Sequence, residues 1–200
     1  MKANELRDLV ISAVLLAVAF GIALSGGFFP SLPDRSDLLK AILMALVGVS
    51  LGFVLHEMGH RFLARRFGCH AEYVMWPAGL IIALVGSLIG IVFAAPGAVV
   101  IYPQRGALGE IALTKERLGL ISIAGPVMNI SLALVFLVLY LAKPYLLFSL
   151  GAQVNSWLAV FNLIPLGPFD GAKILEWNKA AWGLVLVIGI GLFIFQMLYF

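Results

Sequence analysis

From Tyr73 to Gln104 the chain carries no charged side chain, and further uncharged runs lie at 9–33, 118–142, 144–169 and 180–200. A helix needs about 20 apolar residues to cross the hydrocarbon core of a bilayer, so runs of this length read as membrane spans. Of the 200 residues, 62% are hydrophobic and 12% charged, far from the balance of a soluble domain. The chain is therefore read as an all-α polytopic membrane protein, a bundle of five or six transmembrane segments. It forms a single membrane-embedded domain over 1–200, since no stretch is long or polar enough for a separate soluble domain.

The basic residues fall between the apolar runs, as topology determinants at a lipid surface do, and the net charge of +3 gives no sign of nucleic-acid binding. The single cysteine, Cys69, excludes an internal disulfide and a cysteine-rich metal site. Leu9 to Phe29 is longer than a signal-peptide core and is read as a retained first helix. The second helix runs from about Asp37 to Phe67. Arg61, Arg65 and Arg66 crowd its end, which puts that end and the N-terminus in the cytoplasm and the 30–40 loop outside. Trp76 to about Ala95 is an apolar helix or re-entrant segment. Pro96-Gly97 follows it, and Ala98–Tyr102, rich in β-branched residues, reads as a strand. Polar residues occupy 104–117. Leu118 to Ala142 is the next span, with a kink expected at Gly125-Pro126. A run broken by Pro165, Gly167 and Pro168 leads to a short amphipathic stretch, and the last span covers Ala181 to Phe200.

The second helix ends in the run His56-Glu57-Met58-Gly59-His60. On a helix, His56 and His60 lie one turn apart on the same face and can chelate one metal ion. H-E-x-x-H is a zinc-hydrolase pattern in which the glutamate activates water. A catalytic zinc takes a third protein ligand and leaves a position for water. His70 and Asp170 are the candidates. Asp170 is favoured, because it closes an otherwise uncharged run where a carboxylate is costly unless paired, metal-bound or wet. Its competing role is to cap the short helix that follows.

HEMGH in a second membrane helix, Gly125-Pro126-Val127-Met128-Asn129, and the later Asn162-Leu163-Ile164-Pro165-Leu166-Gly167-Pro168-Phe169-Asp170-Gly171 together resemble the site-2 protease family of intramembrane zinc metalloproteases. The likeness covers about 40–70 and 118–175, a catalytic core of about 40–175. It implies that His56, His60 and Asp170 hold zinc and that Glu57 is the general base, activating water at the zinc for attack on a peptide carbonyl. It also implies that Asn129 and Asn162 position the substrate backbone or assist at the oxyanion. Interhelical hydrogen bonding is the competing role for both asparagines.

His56 and Asp170 both end apolar runs and must meet at one depth, so their helices run in the same direction with an odd number of crossings between them. The 118–142 span supplies one crossing. The 76–102 region, a re-entrant or short β element between the HExxH and GPxxN helices, therefore re-enters or crosses twice. Gly48 and Gly52 recur every four residues with His56 and His60, and the 162–170 segment is expected to pack on them. The Ala98–Tyr102 strand offers an edge on which a substrate could be held extended. The expected function is an intramembrane zinc endopeptidase, in the bilayer and near its cytoplasmic side, acting on transmembrane protein substrates. The alternatives are a non-catalytic metal-binding membrane scaffold and a surface-acting membrane zinc peptidase.

Overall fold

The computed structural model describes residues 3–28, 33–102 and 113–199. The parts of the expected 30–40 and 104–117 loops that fall outside these ranges, Arg105 included, lie outside the described residues. Seven helices and two strands follow in the order α1 (Ala3–Leu24), α2 (Arg35–Arg66), β1 (His70–Met75), α3 (Pro77–Ser87), β2 (Gly97–Tyr102), α4 (Lys115–Ala142), α5 (Leu146–Asn162), α6 (Asp170–Trp177) and α7 (Lys179–Tyr199). Four of them, α1, α2, α4 and α7, are long and apolar enough to cross a membrane. The count of five or six spans is thus met only as far as four, because α5 has 17 residues and α3 has 11. The chain is a helical, multi-pass membrane protein.

The helix starts are chemically marked. Asp34 accepts the Ser36 N–H at 2.7 Å and caps α2, and the Thr114 hydroxyl accepts the Arg117 N–H at 3.2 Å and caps α4. Pro77 occupies the first turn of α3, where a missing N–H costs nothing. At the other end of α3, Gly90 at φ +81° lets the Ile91 N–H turn back to Gly86 O, which stops the helix. Helix α4 continues through the expected kink site, Gly125-Pro126, as one element.

Helices α1 and α2 pack antiparallel, with Ser50 Oγ donating to Ala13 O and the face of Gly21 closed by Ile42. Helix α4 runs antiparallel to α2: His60 meets Ile121 at one end of the contact and His56 meets Asn129 further along. Helix α5 runs parallel to α2, since Gly48 faces Gly151 and Gly52 faces Asn155. The common direction inferred for the HEMGH helix and the helix that precedes Asp170 is therefore the observed one. The partner of the two glycines is not: the middle of α5, not the 162–170 segment, fills that groove. A Cβ on Gly48 would sit 3.1 Å from the Gly151 Cα, so the two glycines set how closely these backbones approach.

Strand β1 had no counterpart in the sequence reading, which saw only its partner. The two strands pair antiparallel from His70↔Tyr102 to Met75↔Gly97. Tyr73 lies by Glu5 at the start of α1, whereas the Leu88 carbonyl beyond α3 accepts the Phe28 N–H at 2.7 Å past the end of α1. The 70–102 excursion thus runs the length of α1 and returns to its starting end. That return matches a region that re-enters or crosses twice.

Candidate metal centre

Three side chains from two distant parts of the chain converge at the centre of the bundle. His56 Nε2 and His60 Nε2 lie 3.0 Å apart, and Asp170 Oδ2 lies 3.3 Å from the first and 3.0 Å from the second. All three residues are buried, and among the described residues they form the one His/Cys/Asp/Glu group able to share a metal ion.

The far side of each imidazole fixes what the near side can do. His56 Nδ1 faces Asn129 Oδ1 at 2.6 Å. The Asn129 amide is oriented by its other end, whose Nδ2 donates to Gly52 O and to Asn155 Oδ1. His60 Nδ1 faces the Ile121 carbonyl at 2.8 Å. Both Nδ1 atoms must therefore carry the proton, which leaves a lone pair on each Nε2, the arrangement typical of metal-binding imidazoles. Two lone pairs and a carboxylate oxygen facing one another repel unless a cation lies among them. The donor set of two nitrogens and one oxygen suits zinc and leaves a coordination position open. Glu57 Oε2 is buried beside this cluster with no hydrogen-bond partner among the described residues, an expensive state for a carboxylate oxygen.

Neighbouring residues shape the cluster. Gly125 lies directly against both imidazoles, so that a Cβ there would stand 2.5 Å from His56 Cε1. Gly171 leaves no room for a side chain because the Leu163 carbonyl lies against it. The same carbonyl accepts the Trp182 indole N–H at 2.8 Å, which ties α7 to the turn before Asp170. Asp170 divides its oxygens, with Oδ2 toward the histidines and Oδ1 3.8 Å from Lys173 Nζ.

A cavity of about 360 Å³ opens onto the cluster, lined by Glu57, Phe53 and Leu16 on the helices, Phe169 and Lys173 near Asp170, and residues 97–101 of β2. Among the described residues, the edge of β2 away from β1 has no strand partner. Because the Tyr73 N–H leaves the sheet for Glu5 Oε1, the Tyr73↔Val99 pair is of the non-hydrogen-bonded kind. The main-chain groups of Val99, and of Ile101 two residues on, then point away from β1. Val99 and Glu57 line the same cavity.

The structure brings His56, Glu57, His60, Asp170 and Asn129 together and places Asn162 on the cavity wall, its Nδ2 donating to Leu158 O at 2.9 Å. Asn129 is fully buried and spends its amide between helices, the packing role weighed for it in the sequence. His70 opens β1 and pairs with Glu72 at 2.9 Å, apart from the cluster. Asn155, which locks Asn129, was missed. Its signal was available, as an amide in an uncharged apolar run calls for a buried partner. Gly125 and the Ile121 carbonyl carried no such signal, since close approach and a main-chain acceptor leave no mark on residue type.

The chain is 37% identical over 202 aligned residues, 98% of its length and 96% of the relative's, to MJ0611 of Methanocaldococcus jannaschii, which is named among the zinc metalloproteases. YwhC of Bacillus subtilis, named likewise, is 31% identical over 72% of this chain and 73% of its own. Zinc metalloprotease MJ0392 of Methanocaldococcus jannaschii is 30% identical over 71% of this chain and 35% of its own. No protein-family model matches the chain, and no solved structure matches it. A near-full-length match to one named zinc metalloprotease and partial matches to others join a buried His, His, Asp cluster in a multi-pass helical membrane protein: the chain is a zinc metalloprotease and belongs to the site-2 protease family.

Proposed function

We propose that the chain hydrolyses peptide bonds within or beside transmembrane segments of other proteins, with His56, His60 and Asp170 as the zinc ligands and Glu57 as the general base. The observation that carries this reading is the pair of Nδ1 protons locked by Asn129 and Ile121, which turns three acceptors toward one point. Bound there, zinc supplies Lewis acidity toward a carbonyl oxygen and makes a water more acidic.

The protein groups do the rest. Glu57, buried and unpaired at Oε2, takes the proton of a water as that water adds to the peptide carbonyl, then returns it to the departing amine. Asn129 holds His56 in one tautomer. Asn162, on the cavity wall, assists the substrate backbone. A substrate helix hides its own peptide bonds and has to be unwound; the free edge of β2 offers it a strand to pair with while it is extended. Helix α2, with 32 residues, is about 48 Å long against a hydrocarbon core of about 30 Å, so HEMGH sits within the bilayer toward the arginine-rich end. That end faces the cytoplasm on this reading. With α5 as a further short crossing the bundle has five spans, and the whole 1–200 chain acts as one protease domain with its core at about 40–175.

The test is zinc per chain in detergent-purified protein, together with cleavage of a tagged reporter whose single membrane helix carries a central Gly-Pro pair. Wild type holds about one zinc, the Asp170→Ala variant loses most of it, and the Glu57→Gln variant keeps zinc while cleavage falls by roughly 100-fold or more. Zinc fully retained by Asp170→Ala would remove the third ligand. Cleavage surviving in Glu57→Gln would remove the base.

A further inference from the structure

Glu5 and Arg61 form an ion pair, Arg61 Nη1 to Glu5 Oε1 at 2.5 Å, in which both side chains are less than 10% exposed. Arg61 directly follows the ligand His60. Glu5 stands in the first turn of α1, a helix whose length and apolarity would ask no more of it than anchorage. A buried pair of this kind gives up the hydration of both charges and is weak evidence for stability by itself. Its position supplies a different reason.

Glu5 Oε1 also accepts the Tyr73 N–H at 3.1 Å, and the Tyr73 hydroxyl donates to Ser12 Oγ at 2.9 Å, two turns further along the same helix. Tyr73 is fastened to α1 at both its main chain and its ring end, and the ring packs edge-on against Phe53 of α2. An isolated two-stranded ribbon has two open edges and little stability of its own. Here the outer edge of β1 is engaged by a carboxylate where a third strand would supply a carbonyl. Directly across from Tyr73 lies Val99, which lines the cavity together with Glu57.

We propose that the first helix is a working part of the protease: Glu5 and Ser12 take the place of a third strand along β1, and so hold the free edge of β2 against Glu57. Arg61 ties that carboxylate to the helix that carries His56 and His60. Glu5, Ser12 and Arg61 are positioning residues, acting on the substrate through the hairpin. The inference rests on the reading of the β2 edge as the place where substrate pairs.

Two double variants separate the acceptor from the charge. Glu5→Gln/Arg61→Met keeps a side-chain carbonyl for the Tyr73 N–H, whereas Glu5→Leu/Arg61→Met removes it. Each is purified in detergent, and zinc per chain and amide hydrogen exchange in 70–75 and 97–102 are measured without substrate. Both hold about one zinc, and the Leu/Met variant exchanges about tenfold faster in both segments than the Gln/Met variant, since local opening sets these rates. On the tagged reporter the loss in the Leu/Met variant falls on KM and not on kcat, the mark of lost binding with the chemistry intact. Equal exchange in the two variants would overturn the proposal. If the Leu/Met variant does not fold, Tyr73→Phe decides, because it removes the link to Ser12 alone: unchanged exchange at 97–102 would overturn the proposal as well. A wild type that holds zinc and cleaves no reporter defeats the intramembrane reading, while the exchange comparison still stands or falls separately.

Discussion

Replacing Asn129 by leucine removes the group that fixes His56 and keeps the site's volume nearly constant. The wild-type amide makes a 2.6 Å contact to His56 Nδ1 and bonds to Gly52 O at 3.2 Å and Asn155 Oδ1 at 3.1 Å. In Asn129→Leu the His56 Nδ1–H loses its acceptor in a fully buried place, so the imidazole is free to shift its proton to Nε2 or to rotate, and either change removes a lone pair from the cluster. Outer partners of metal-bound histidines contribute about 10–100-fold in affinity, which is roughly 1.4–2.8 kcal/mol. The larger figure is expected here, because Asn155 Oδ1 also loses its donor from Asn129. The assay is zinc competition against a chromophoric chelator, on wild type, Asn129→Leu and Asn129→Asp. Aspartate still accepts from Nδ1 and should recover most of the loss. Zinc affinity in Asn129→Leu within twofold of wild type would refute the tautomer argument. A loss confined to kcat with normal zinc binding would return Asn129 to the oxyanion role.

Gly125→Ala places a methyl group against both imidazoles and should cost about 1–3 kcal/mol as overpacking, seen as a fall in zinc affinity while the helix content measured by circular dichroism stays the same. Gly48→Leu forces α2 away from Gly151 and, through Asn155, disturbs Asn129, so thermal stability in detergent should fall by a similar amount, about 1–3 kcal/mol. Asp34 caps α2, and the Ser36 N–H holds its carboxyl below the usual 3.8. A depressed folded-state value means the cap contributes above about pH 4 and fades as pH falls through that lowered value. Asp34→Ala should therefore be less stable than wild type at neutral pH and indistinguishable from it in strong acid, as read from melting curves at both pH values.

The most legible parts of this protein were those set by one-dimensional rules. Uncharged runs gave the four long helices to within a few residues, except that α1 starts at Ala3 and ends at Leu24, earlier at both ends than the run's charged borders suggested. The first turn there includes Glu5, whose charge marked it as outside the span; a partner 56 residues away makes its burial tolerable. Strand β2 was visible in its β-branched residues, but β1 was not. His70 and Glu72 alternate with the buried Ala71 and Tyr73 over only four residues, too short a signal to set β1 apart, and its extended form comes from pairing with β2 and from the contacts of Tyr73 with α1.

Spacing on a helix alone brought His56 and His60 to one face, and the cost of a lone carboxylate in an apolar run marked Asp170. Parity of crossings even required α2 and the helix before Asp170 to run in the same direction. What no local rule contains is which surfaces meet. The groove of Gly48 and Gly52 accepts the middle of α5 because Gly151 and Asn155 there are small and polar in the right register. The tautomers of both histidines are set by Asn129 and by a main-chain carbonyl of a helix that begins more than fifty residues later. The sequence by itself marked the four long apolar helices, the candidate metal donors and the chemistry such donors suit, since these follow from residue type and helical period. The tertiary structure decided which acceptors face the imidazole Nδ1 atoms and the Tyr73 N–H, because each is supplied from a distant part of the chain.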